Sequence, residues 1–192
     1  MSKLLILGAG GYGRTVADVA AQMGLYETIA FLDDGQTGPH ILGPCADYDK
    51  FPGWHIYPAF GDCAIRWSWV RKQTGAGITV PTLIHPRAYV SPTAKIGPGT
   101  VILPGAMVGT GVTVGAGCIL NMGSVTDHDC SLGSGCHLAP GAIVKAENHI
   151  PDCTKIDSGE VIQNRAIPRC KRRKLWTSSW TIPMFPFRIT AS

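Results

Sequence analysis

A small α/β domain followed by a left-handed parallel β-helix is the architecture this 192-residue sequence predicts, on three observations. From Ile84 onward an aliphatic residue recurs at every sixth position. The opening segment reads as strand, glycine turn, helix, strand. Gly (24) and Pro (14) are abundant while charged residues make up only 16%, against roughly a quarter in an average globular chain. Such a balance suits a repeat that spends a turn residue in every unit.

The α/β part comes first. Residues 3–7 form a short apolar run that reads as a buried strand. It enters Gly8-Ala9-Gly10-Gly11-Tyr12-Gly13, a G-x-G-x-x-G spacing. Residues 14–23 then place Val16, Val19 and Ala20 on one helical face, with Gly24 as the expected C-cap. A second apolar run, Ile29-Ala30-Phe31-Leu32, ends in Asp33-Asp34. This is a Rossmann-like unit. Its turn glycines let the backbone approach a diphosphate at the helix N-terminus, where free N–H groups and the positive dipole end favour anions. An acidic pair ending the second strand suits ribose or base hydroxyls.

The repeat decides the rest. Ile84, Val90, Ile96, Ile102, Val108, Val114, Leu120, Thr126, Leu132, Leu138, Val144, Ile150, Ile156 and Ile162 keep strict register, and Thr126 alone is not aliphatic. Two residues earlier stands a small residue in most rungs, among them Ala88, Ala106, Cys118, Cys130, Cys136 and Ala142. Neither a helical nor a simple strand period gives this pattern; a hexapeptide β-helix with three rungs per coil of about 18 residues does. The expected divisions are residues 1–80, 81–167 and a basic, aromatic tail at 168–192. The seven cysteines are odd in number and lack a C-x-x-C pair, which predicts reduced thiols in the cytoplasm. Those at 118, 130 and 136 read as packing atoms. No apolar run nears the about 18 residues of a membrane span, and no secretion signal is apparent.

The residue before each aliphatic should point outward. Grouped by face, these read Leu83, Val101, Ile119, His137, Lys155; Tyr89, Met107, Val125, Ile143, Val161; and Lys95, Thr113, Ser131, His149. Two faces are largely apolar, which predicts a closed three-fold oligomer, with cover by the C-terminal tail as the alternative. Of six histidines, His40 and His55 fall in a loop-rich stretch and His85 at the domain junction. His128 and His137 break the repeat within one coil. A histidine at a subunit boundary can be tuned near neutral pH and act as a general base, and Asp129 is placed to support His128.

Asn121, Thr126-Asp127-His128-Asp129-Cys130 and His137-Leu138-Ala139-Pro140-Gly141-Ala142 resemble the active-site stretch of the bacterial sugar acetyltransferases of the NeuD/PglD type. The opening glycine turn, Phe31-Leu32-Asp33-Asp34, Gly61-Asp62 with Arg66, and Leu83-Ile84-His85-Pro86 match in order, and the resemblance covers residues 3 to 162. It implies acetyl transfer from acetyl-CoA to a sialic acid or a UDP-linked amino sugar. His128 is then the base and Asp129 its support, a position where amino-sugar members often carry Glu. The resemblance also places His137 at the acetyl-CoA end with Asn121 nearby, and Gly11-Tyr12-Gly13 with Asp33-Asp34 on the nucleotide. Stacking arithmetic adds Ala146, eighteen residues after His128, whose N–H could face the tetrahedral oxyanion. No metal and no covalent intermediate is expected.

The main expectation is therefore N-acetylation of a nucleotide-linked amino sugar by a cytoplasmic homotrimer. Sialic acid O-acetylation is the close alternative. More distant are a zinc hydratase using His128, His137 and His149, and a non-catalytic scaffold that binds sugar nucleotides. The later coils, with Asn148, Thr154 and Glu160 in the small slot, leave the CoA site open. The tail, from Arg169 through Trp180 to Phe187, could meet CoA phosphates or another chain; nucleic acid is not an expected partner.

Overall fold

A computed structural model describes residues 2–164. Expectations about the basic, aromatic tail therefore lie outside the described residues. The N-terminal sheet has three parallel strands, β1 (Ser2–Leu7), β2 (Tyr26–Leu32) and β3 (His55–Pro58), in the order β2-β1-β3. Helix α1 (Gly11–Met23) connects the first two and ends on Gly24 in the left-handed conformation, the C-cap expected. It begins three residues earlier than its apolar stripe suggests. Glycines at its start add no side chain to the stripe, yet they take helical geometry behind the N-cap Gly10.

Two elements were not expected. β3 places His55 in a strand, where its ring stacks edge-on against Tyr26 at 5.8 Å, so His55 is a half-buried sheet residue rather than a loop residue. Helix α2 (Cys63–Gly75) follows, capped by Asp62, whose carboxylate accepts the Ile65 N–H at 2.8 Å.

The β-helix keeps the predicted register throughout. Each coil advances 18 residues, so Ile119 pairs with His137 and Leu120 with Leu138. The first face of the prism carries Leu83–Ile84, Val101–Ile102, Ile119–Leu120, His137–Leu138 and Lys155–Ile156. The second runs from Tyr89–Val90 to Val161–Ile162, and the third from Lys95–Ile96 to His149–Ile150. The axis is filled by the hexad aliphatics, with the small-slot Ala and Cys residues packed among them. Each such aliphatic contributes about 1.5–3 kcal/mol of burial. Thr126 sits in the same column, 1% exposed.

One of the two apolar outer faces is covered by the chain itself. Leu83, Val101 and Ile119 are at most 1% exposed and pack in one cluster with Val16, Val19 and Ala20 of α1. The outward period reported an apolar column correctly, but it carries no information about what covers that column. Here α1 packs back onto the first face. His85 seals this junction: its Nδ1 accepts the Arg87 N–H, so its Nε2 donates to Gln22 of α1 at 2.8 Å. The second face is different. Tyr89 and Met107 remain more than half exposed. Among the described residues no helix is long and apolar enough to cross a membrane.

Candidate active site

The glycine turn is a tight crossing. A Cβ on Gly13 would lie 1.9 Å from the Gly8 carbonyl oxygen, so only glycine lets α1 start there. The first-turn N–H groups of α1 have no intrahelical acceptor and face the turn. Asp33 lies at the end of β2, as predicted, but its carboxylate is occupied. Oδ2 accepts the Ala9 N–H at 2.7 Å and Oδ1 accepts from Gly35 and Gln36. These bonds, that from Ala9 foremost, hold its pKa below the usual carboxylate value. Asp34 likewise accepts the Cys45 N–H at 2.8 Å. Both carboxylates thus shape the loops around the turn. Tyr12 points inward, its hydroxyl 2.9 Å from that of Tyr57, and burial raises its pKa to about 12. The Tyr12 hydroxyl is thus committed to Tyr57.

His128 stands at the corner between the second and third faces and is exposed. Its Nδ1 lies 2.9 Å from Asp129 Oδ2. That contact assigns the Nδ1 proton to the carboxylate side and leaves the Nε2 lone pair facing outward. The hydrogen bond to Asp129 is the main cause raising the His128 pKa above its ordinary value, with Asp127 and Glu147 adding to it. Asp129 and Glu147 take positive φ (56° and 61°) in a column that begins at Gly111. Left-handed geometry at a residue with a Cβ costs about 1–2 kcal/mol. The Glu147 N–H donates to the His128 carbonyl at 3.1 Å, so Ala146 sits one coil above the histidine, as the 18-residue arithmetic requires.

His137 occupies the opposite setting. It lies on the first face, one coil beyond the Ile119 strand that α1 covers, and is half-buried. Burial, followed by Arg66 and Lys155, lowers its pKa to about 4. Its Nε2 lies 3.4 Å from Asn121 Nδ2, so the structure brings these two predicted residues together. It does not bring His128 to them. In a three-sided prism the corner between the second and third faces lies opposite the first, and His137 is on the first. His149, on the third face, bonds Ser131; within one chain the three histidines do not converge. The sequence reading gave no structural role to Arg66. It is fully buried and bonds carbonyls of both halves of the protein, and a single arginine in a helix offers no periodic signal.

A three-sided parallel β-helix built on hexads, carrying a His–Asp pair at a corner and joined to a glycine-turn α/β domain, defines the class of hexapeptide-repeat acyltransferases. Comparison with known proteins agrees. The model of the PglD N-terminal domain matches residues 3–73, and that of the bacterial transferase hexapeptide (six repeats) matches residues 93–128. The acetyltransferase domain of PglB from Neisseria gonorrhoeae, solved with acetyl coenzyme A, is 34% identical with a TM-score of 0.83, over 85% of this chain and 82% of that one. PerB from Caulobacter crescentus, solved with CoA and GDP-perosamine, is 26% identical with a TM-score of 0.73, over 85% and 90%. WeeI from Acinetobacter baumannii AYE, 24% identical with a TM-score of 0.76 over 85% and 81%, shares the fold. The chain belongs to the NeuD/PglD-type family of bacterial sugar acetyltransferases.

Proposed function

We propose that the protein transfers the acetyl group of acetyl-CoA to the amino group of a UDP-linked amino sugar. The observation that carries this reading is the His128–Asp129 pair, a base with its second nitrogen turned outward. The amine lone pair attacks the thioester carbonyl carbon, and His128 Nε2 takes the amine proton. The tetrahedral oxyanion meets the Ala146 N–H, the C–S bond breaks, and the CoA sulfur leaves to be protonated. His137 and Asn121 face the acyl donor. Residues 1–80, through the backbone of Gly11, Tyr12 and Gly13 and the loops shaped by Asp33 and Asp34, hold the nucleotide; residues 81–167 hold the acetyl donor. The bound GDP-perosamine and CoA of PerB support a nucleotide-sugar acceptor for this chain as well.

The reading includes a homotrimer. Its support is the uncovered second face, with Tyr89 58% and Met107 52% exposed, and the placement of His128 opposite the His137 face. A neighbour packed there completes a site that one chain leaves divided. The test is thiol release from acetyl-CoA against a panel of UDP-amino sugars, GDP-amino sugars, free amino sugars and sialic acids. The expected result is release with a UDP-amino sugar. Release with sialic acid alone replaces the amine by a hydroxyl acceptor, and release with none refutes the reading.

A further inference from the structure

Arg66 on α2 is fully buried, and among the described residues it has no ion-pair partner. Its N–H groups all point at carbonyls. Nε donates to Gly117 at 2.7 Å, Nη1 to Phe60 at 2.9 Å and Gly61 at 3.1 Å, and Nη2 to Gly135 at 2.8 Å with Cys136 at 3.4 Å. These carbonyls come from three places. Residues 60 and 61 follow Ala59, whose own carbonyl backs Gly8 in the glycine turn. Gly117 and Gly135 are the same corner of two successive coils. Gly135 and Cys136 immediately precede His137.

We infer that Arg66 is a positioning residue that fixes the His137 strand against the glycine-turn domain and sets its charge beside that imidazole. The inference rests on the reading of His137 as the acyl-donor side of the site. A simple cross-link between α2 and the coils needs no charge. Val70 and Trp67 already pack on the same glycine corner, close to where Cβ atoms on Gly117 and Gly135 would lie. Burying a cation without a counter-ion is costly, so its retention calls for a second role. The planar fork, with five donors in fixed directions, can hold three backbone segments at once; a lysine ammonium, with three donors from one point, cannot.

The charged groups facing His137 are Arg66 from α2, and Lys155 and Asp157 from the next coil. The two cations oppose protonation and Asp157 favours it, while burial acts most strongly against the charged ring. A neutral imidazole keeps one donor and one acceptor; an imidazolium would present two donors. Arg66 thus fixes where His137 stands and adds its charge to the burial that keeps the ring neutral.

The test compares the full chain with Arg66→Gln, Arg66→Lys and Trp67→Leu. The His137 ring is titrated by nitrogen-labelled NMR, and kcat and both KM values are measured by thiol release. In Arg66→Gln the His137 midpoint should rise by about one pH unit while staying below 6.5, because burial persists. Arg66→Lys keeps the charge and loses the fork. Its midpoint should stay near that of the parent, while kcat falls at least about tenfold with both KM values within about threefold, since bound partners remain seated but misaligned. Trp67→Leu should lower the melting temperature and move neither quantity. An unmoved midpoint in Arg66→Gln, or parental kcat in Arg66→Lys, overturns the inference. If Arg66→Gln fails to fold, the lysine variant alone decides it. The titration needs no turnover, so a failed acetylation reading, seen as no thiol release by the parent, is told apart from a failed role for Arg66.

Discussion

His128 and His137 lie nine positions apart on the same scaffold, in opposite environments. His128 is at an exposed corner, bonded to Asp129 and near Asp127 and Glu147, and its pKa is raised. His137 is half-buried on a face whose earlier coils are covered by α1, near Arg66 and Lys155, and its pKa falls to about 4. Two like groups driven apart by their surroundings take different parts in acid–base chemistry. The corner histidine is suited to receive a proton. The face histidine stays neutral at any ordinary pH and is suited to orient a ligand. The difference comes from placement on the prism: the corner gathers carboxylates in solvent, whereas the first face is the one the N-terminal domain packs against.

The strongest way to break this comparison is to remove the base. His128→Ala should lower kcat about 10²-fold or more while both KM values stay within about threefold, measured by thiol release. A loss below about threefold takes the base away from His128. Next is the geometry that separates the two rings. Met107→Glu puts a charge on the uncovered second face. It should shift the protein to a smaller species in size-exclusion chromatography with light scattering, and activity should fall at least about tenfold with it. A monomeric, fully active Met107→Glu would show that one chain suffices.

The third test sharpens the contrast in charge. A raised pKa means that His128 is a free base only above that value, so kcat/KM should decline as pH falls through a midpoint above 6.5. Asp129→Asn removes the largest cause of the rise. The acid limb should move down toward 6.5, and kcat should drop at least about 10-fold, because Nδ1 loses the acceptor that fixes the tautomer. An unmoved limb would assign that titration to another group.

How much of this was legible depends on how the information is stored. The β-helix was readable because every coil repeats the same demand, aliphatic inside and small at the corner, and departures such as Thr126 and His128 stand out against that regularity. The glycine turn was readable because Gly13 answers a local steric demand. α2 was not. It is sandwiched, with Trp67 and Val70 on the glycine corner and Trp69 stacked toward Tyr48 and Phe60, so it has no single apolar stripe. β3 was hidden for a similar reason, since four residues with a proline give too little period. The cover of the first face by α1 is a tertiary fact that no outward column contains. The place of Asp33 and Asp34 at the end of β2 was readable, but only coordinates show both Asp33 oxygens and Asp34 Oδ1 accepting loop N–H groups.

The smallest expected effect concerns the core beneath the two histidines. Leu138, next to His137, fills its axial position with carbon. Thr126, two residues before His128, fills the equivalent position with a hydroxyl that is buried and has no hydrogen-bond partner. A desolvated, unpaired hydroxyl costs on the order of 1–3 kcal/mol. Thr126→Val keeps the shape and removes the polar atom. It should stabilise the protein by about 1 kcal/mol, which corresponds to a melting temperature about 2–4 °C higher for a chain of this size. Turnover should not change, because the hydroxyl points into the axis while His128 points out of it. A lower melting temperature or a loss of kcat in this variant would mean that the hydroxyl acts on the corner above it. The two histidines would then differ in their internal support as well as in their surface charges.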